Sequence, residues 1–200
     1  MARLSRAESQ ERTRERLVAT ARELFLRKGY AATSLGEVAE TAGYSKGAVY
    51  SNFRSKGHLC LAVLDDVRAE QLTLLAASVM GDGPVDDRLA AFTAWGEAHI
   101  GEEAWTTLEV EFLTGARHDG ELRQEITARV AAVREVLAQL LVTLARDTGT
   151  TLAMPAEQAA TALLGLGIGL GVQRIADPTA PTAVLTDTLR LILRYPTCMK

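Results

Sequence analysis

Three histidines (His58, His99, His118) and two cysteines (Cys60, Cys198) are the side chains best suited to covalent or acid–base chemistry in this chain, and their placement argues against it. His58 and Cys60 stand two apart, so on a helix they point in different directions. Neither His-Glu-x-x-His nor Cys-x-x-Cys occurs, and three dispersed histidines offer no triad. The run GLGIGLG at 165–171 has Leu170 and Val172 where Gly-x-Gly-x-x-Gly needs its last glycine, and no predicted strand precedes it. No catalytic residue, metal site or cofactor is therefore expected, and the chain does not read as an enzyme. The other concentration of donors lies between Thr33 and Lys56. Thr33, Ser45, Lys46, Tyr50, Ser51, Asn52 and Lys56 offer hydroxyl, amide and ammonium groups, and Gly47 and Ala48 leave room for close approach. Such a set suits noncovalent contact rather than reaction.

Two short helices must position these groups. In TSLGEVAETAGYSKGAVYSNFRSK (33–56), Leu35, Val38, Ala39 and Ala42 fall on one helical face. Thr33 or Ser34 is the N-cap, Glu37 completes a capping box with Ser34, and Gly43 ends the helix. Ser45 caps a second helix over 46–53. Its apolar face is only Val49 and Phe53, with Ala48 beside them, so most of its surface faces outward. Helix, short Gly-containing turn and helix make the helix-turn-helix, whose second helix enters the DNA major groove. The Ala48 methyl can meet a thymine methyl there.

The stretch 33–56 resembles the DNA-binding signature of TetR-family transcriptional repressors, and ARELFLRKGY (21–30) resembles the end of that family's first helix. Spacing, caps, the Gly turn, the pair Tyr50 and Phe53, and the Ser55-Lys56 step all agree over roughly the first sixty residues. Beyond them only length and helical character match. The resemblance implies phosphate contacts at Thr33, Tyr50 and Lys56, a base or phosphate contact at Lys46, and further contacts at Ser51 and Asn52. It makes Phe53 core, and it departs from the family at Tyr44, where a small aliphatic residue is more usual. It further implies a homodimer that presents two recognition helices to double-stranded operator DNA, and a small-molecule effector.

Charge supports one DNA-facing end. Residues 1–60 hold eleven basic and six acidic side chains, a balance of +5, while the remaining 140 hold eleven and nineteen, a balance of −8. A 48% hydrophobic chain can build a core, and with only 5% aromatics and abundant Ala, Leu, Arg and Glu it favours helix. Two distant cysteines suit reduced thiols in a cytoplasmic protein. The charged N-terminus fits no signal peptide, and no apolar run is read as long enough to span a membrane.

The predicted fold is all-α, about nine helices: a helix-turn-helix head (1–56) and a helical effector-binding and dimerisation body (57–200). Residues 1–10 read as a loose arm in which Arg3 and Arg6 could touch phosphate, and helices follow over 11–28, 35–42, 46–53, 56–79, 84–100, 102–116, 121–146, 155–177 and 181–194. PTCMK (196–200) reads as a frayed end. Phe92, Trp95 and His99 share one stripe, and Trp105, Leu108, Glu109 and Phe112 another. Aromatics with a few polar groups suit a pocket for a small, largely apolar effector, and equally suit a core. His99 is a ligand partner or a satisfied core histidine, and Glu109 a partner for a cationic ligand or a solvated glutamate. Glycines inside a helix cost about 1 kcal/mol each relative to Ala, which makes sense where another backbone comes close. Gly165 and Gly169 share one face and Gly167 and Gly171 another. The predicted dimer surface is Gly165, Gly169, Val172, Val184, Leu185, Leu189 and Ile192. An architectural DNA-binding protein without an effector is the alternative, though a body of this size and its aromatic cluster would then lack a purpose.

Overall fold

The computed structural model describes residues 5–195. Within them the chain is all-helical, without a strand. It runs as α1 (Arg6–Lys28), α2 (Leu35–Ala42), α3 (Lys46–Asn52), α4 (Lys56–Val79), α5 (Val85–His99), α6 (Glu103–Gly115), a 3-10 turn (Ala116–His118), α7 (Gly120–Asp147), α8 (Ala156–Ala176) and α9 (Ala183–Ile192). The predicted helix boundaries hold to within two residues, except at the start of α1. There Ser5 and Glu8 close a capping box: the Ser5 N–H donates to Glu8 Oε2 at 2.7 Å, and the Glu8 N–H donates to Ser5 Oγ at 3.2 Å. Arg6 therefore lies in the first helical turn rather than in a loose arm. Arg3 and PTCMK lie outside the described residues.

Of the described residues, those up to 69 together with 107–124 form one compact unit, and 70–106 together with those from 125 onward a second. In the first, α1 presents Leu17, Val18, Ala21, Leu24 and Phe25 inward and packs on both α2 and α3. Ser34 accepts from the Glu37 N–H to start α2. Gly43 ends α2 in the left-handed conformation (φ 77°, ψ 28°), and the Tyr44 N–H returns to the Ala39 carbonyl at 2.8 Å. Ser45 then caps α3 through the Ala48 N–H. Only Val49 and Phe53 of this segment are buried, as its thin apolar face requires. The first half of α4 contributes Leu59, Val63, Leu64 and Val67, and the second half of α6 contributes Leu108 and Phe112. Gly57 has no room for a side chain: a Cβ there would stand 2.6 Å from Leu122 at the start of α7.

The second unit has its own core of Leu89, Phe92, Leu141, Leu144, Ala159, Ala160, Leu170, Leu185, Leu189 and Ile192, among others. Helix α9 packs on α5 and α8, and the Thr93 and Thr186 hydroxyls meet at 2.7 Å between α5 and α9. The two glycine rows of α8 part company. A Cβ at Gly171 would lie 3.5 Å from Thr106 and 3.7 Å from the Gly101 nitrogen, so this row packs inward. Gly165 and Gly169 would meet nothing within 4 Å. Around them Ile168, Val172 and Ile175 are exposed. The 21-residue α8 is long and apolar enough, by length and composition, to cross a membrane, contrary to the expectation that no segment is.

Candidate nucleic-acid interface

Each polar group between Thr33 and Lys56 takes a distinct place. Lys46 and Tyr50 are exposed on α3, Tyr50 at 61%. Together with Thr33, Ser34, Leu35, Gly36 and Lys56 they line an open cleft of about 470 Å³. Leu35 and Gly36, in the first turn of α2, belong to that lining, with Lys46 and Lys56 beside them. An exposed helix N-terminus beside ammonium groups is a ready anion site.

Other groups of the set are already engaged. Ser45 Oγ is the cap of α3. The Ser51 hydroxyl and the Asn52 side-chain amide both donate back to the Ala48 carbonyl, at 2.9 and 2.8 Å. Gly47 is exposed and Ala48 half-buried, so the helix start stays narrow. Thr33 is 1% exposed, and its hydroxyl points inward to the Gly29 carbonyl at 3.0 Å and the Leu24 carbonyl at 3.4 Å. Lys56 donates to three carbonyls, Tyr30 at 2.8 Å, Thr33 at 3.0 Å and Ala31 at 3.3 Å, and lies 4.3 Å over the Tyr30 ring. Burial lowers the pKa of its ammonium, and the nearby Glu111 carboxylate opposes that shift. Lys56 and Thr33 thus build the loop between α1 and α2 before they can touch anything else.

Two residues that sequence reasoning passed over complete the support. Arg14 of α1 places its guanidinium 4.5 Å over the Phe53 ring and donates to the Asn52 carbonyl at 3.3 Å, at the C-terminal end of α3. It continues the buried stripe of α1, four before Val18 and seven before Ala21, which is the signal that could have found it. Glu111 of α6 accepts from the Tyr30 N–H at 3.1 Å. No spacing in the sequence announces that contact.

The residues expected to hold an effector are divided between the two compact units. Phe92, Trp95 and His99 do form a column on α5, with ring centroids 5.8 and 5.7 Å apart and near-parallel planes. The His99 Nδ1–H donates to the Trp95 carbonyl at 2.8 Å, which leaves Nε2 as the free nitrogen. Trp95 Nε1 is buried without a partner. Trp105 is half-buried in the same unit. Leu108, Glu109 and Phe112 belong to the other unit. There Leu108 and Phe112 are each 1% exposed, and Phe112 and Tyr30 form an edge-to-face pair. Glu109 is neither solvated nor waiting for a cation: Arg68 Nη2 donates to it at 2.6 Å. The expected dimer surface divides likewise. Leu185, Leu189 and Ile192 are buried in the core of their own unit, whereas Gly165, Val172 and Val184 are exposed and Gly169 is half-buried.

An exposed short helix, capped by serine and held behind a glycine turn by two supporting helices, defines a helix-turn-helix module. Residues 17–63 match the sequence profile of the bacterial regulatory proteins, tetR family. The chain is 37% identical over 82 residues to the HTH-type transcriptional regulator TtgR of Pseudomonas putida, a stretch covering 41% of this chain and 39% of TtgR. It is 39% identical over 83 residues to the HTH-type transcriptional repressor NemR of Escherichia coli, 40% of this chain and 41% of NemR. These alignments span about two fifths of the relatives' own length. Across 90% of this chain and 97% of the other, the fold superposes on reduced E. coli NemR with a TM-score of 0.70 at 24% identity. NalD, the secondary repressor of the MexAB-OprM multidrug efflux pump in Pseudomonas aeruginosa, aligns over 93% of this chain and 97% of its own at a TM-score of 0.59 and 28% identity. The head thus matches the tetR-family profile over residues 17–63, and the fold along the chain is similar to that of these solved regulators.

Proposed function

We propose that the protein is a ligand-responsive transcriptional regulator, a repressor that binds a palindromic operator as a homodimer and releases it when a small, largely apolar effector binds. The observation that carries the reading is the outward face of α3, where Lys46 and Tyr50 share one cleft with Lys56 and the N-terminus of α2. In this reading residues 1–56 touch DNA, and 57–200 bind effector and partner. Lys46, Gly47 and Ala48 approach base edges, while Tyr50 and the cleft take phosphate, which sets register without reading sequence. Two copies would present recognition helices to successive major grooves, about 34 Å apart for half-sites one turn apart. Such a protein acts in the cytoplasm, where its DNA is.

Support for the dimer is the open surface of α8, with Gly165 and Gly169 flanked by Ile168 and Val172, and Val184 of α9. Small residues let helices approach closely, and burying exposed aliphatic groups drives association. A second copy covers that face better than lipid, because Glu157, Gln158 and Thr161 at one end of α8 and Gln173 at the other stay polar and exposed. Support for an effector site is the Phe92–Trp95–His99 column, whose indole N–H lacks an acceptor. An effector that binds one state of the protein more tightly than the other shifts the population away from the DNA-bound form.

The test is fluorescence anisotropy on labelled DNA flanking the protein's own gene, beside scrambled DNA, with Tyr50→Ala as control. Preference for the native duplex, weakened by the substitution, is the expected outcome. Equal affinity for both DNAs and for the variant would refute sequence-specific binding through α3 on this DNA. An effector that binds without changing operator affinity would refute the release step.

A further inference from the structure

We infer that Glu111 is a positioning residue for DNA binding, holding from α6 the loop between α1 and α2 in the shape that builds the cleft. The inference rests on the DNA-binding reading above and adds to it the point at which α6 can act. Helix α6 changes compact unit along its length: Glu103–Thr106 belongs to the second unit and Thr107–Gly115 to the first. On the part within the first unit, the Glu111 carboxylate accepts from the Tyr30 N–H at 3.1 Å and lies against Gly29, whose Cβ position is 3.6 Å from Oε2. Phe112, the next residue, packs its ring against that of Tyr30 in an edge-to-face pair with centroids 5.7 Å apart.

The same loop is held from α4. Lys56 donates to the carbonyls of Tyr30, Ala31 and Thr33 and covers the Tyr30 ring. The two clamps act on complementary groups, since α4 takes the loop's carbonyls and α6 takes its N–H. Ala31, Thr33 and Ser34 then line the cleft, and Ser34 caps α2. Gly29 takes φ 85° at the foot of the loop, so the chain there has few side-chain contacts of its own to define its path. Moving α6 by the length of one hydrogen bond strands the Tyr30 N–H and frees one side of the loop, with no change required in α4.

The experiment uses the full-length protein and the duplex that wild type selects from a random DNA pool. Affinity is read by anisotropy for wild type, Glu111→Ala and Glu111→Gln, and amide hydrogen exchange over residues 29–33 is followed on the same samples. Loss of one hydrogen bond to a charged group should weaken binding by Glu111→Ala about tenfold, with faster exchange at Tyr30. Glu111→Gln keeps an oxygen that accepts from the N–H and should restore affinity to within about twofold. Where Glu111→Ala fails to fold by circular dichroism, Glu111→Asp, with its carboxylate drawn back by one methylene, takes its place under the same expectations. Wild-type affinity in the truncated variant overturns the proposal. So does a loss that Glu111→Gln fails to restore, because the effect then lies in α6 packing and not in the acceptor. A wild-type protein that selects no duplex overturns the DNA-binding reading itself, and this inference with it.

Discussion

Arg14 and Phe53 are joined across the head, with the guanidinium of one lying 4.5 Å above the ring of the other. The same guanidinium donates to the Asn52 carbonyl, one of the last acceptors of α3 that no turn above can satisfy. The cation also favours the negative end of the helix dipole. Arg14→Ala should destabilise the protein by about 1–2 kcal/mol, since it removes a cation–π contact and a charged hydrogen bond together. Arg14→Lys should recover less than half, because a point charge replaces a planar group that both stacks and donates. Urea unfolding of the three proteins measures this, and equal midpoints would refute it.

Thr33 donates inward from a position 1% exposed. Thr33→Val keeps the shape and removes the donor, leaving the Gly29 carbonyl unsatisfied, and should cost about 1–2 kcal/mol. Thr33→Ser keeps the hydroxyl and should cost less. If Thr33 acted only on DNA, both variants would unfold like wild type and differ only in operator affinity.

The two glycine rows of α8 give opposite expectations. Gly171→Leu drives a side chain onto Thr106, so it should destabilise the fold by about 1–3 kcal/mol, the usual cost of overpacking. The Cβ of Gly169→Leu has nothing within 4 Å of it in its own chain, and leucine adds helix propensity, so the fold should gain up to about 1 kcal/mol. Association should weaken instead, because the open row is filled. Sedimentation equilibrium with thermal unfolding separates the effects; a Gly169→Leu protein as dimeric as wild type would exclude this face as the interface.

Cys60 is buried, and burial pushes its thiol up to about 12. A neutral buried thiol does not attack disulfide reagents. With Cys198 replaced by Ser, the native protein at pH 8 should therefore leave Cys60 unlabelled, while the unfolded protein reacts at once. Because the folded pKa lies above the ordinary value of 9.0, the folded state holds its proton more tightly. Stability is accordingly complete below about pH 9 and falls as pH rises from there towards 12. Labelling of the native protein at the unfolded rate would contradict the burial.

The head was legible in the sequence because its signals are local: caps at Ser34 and Ser45, a glycine at 43, and apolar spacing of three and four. The start of α1 was missed although Ser5 and Glu8 have capping-box spacing, because ten other polar residues crowd the first sixteen positions and no apolar stripe marks the first two turns. The stripe Trp105, Leu108, Glu109 and Phe112 was read as one surface. It is a single helical face, but the helix passes from one compact unit to the other after Thr106, so Trp105 and the other three residues belong to different units. Periodicity shows that a face is apolar and not which neighbour covers it. For the same reason Leu185 and Leu189 could not be told from Val184, although they lie inside and it lies outside. Glu111 had no signal at all, since its partner is a backbone N–H 81 residues away.

The three donated bonds of Lys56 have a consequence for how ionic strength acts on this protein. An ammonium has three N–H groups, and here all are directed to carbonyls of its own chain. Each phosphate newly neutralised on duplex DNA releases condensed cations and steepens the logarithmic dependence of affinity on salt by about 0.9. A lysine locked in this way can lend its field to a passing phosphate, but it must give up a carbonyl to grip one. The number of ions released on binding should then fall short of a count of the basic residues near the cleft, and replacing Lys56 with Met should change the intercept of that line more than its slope.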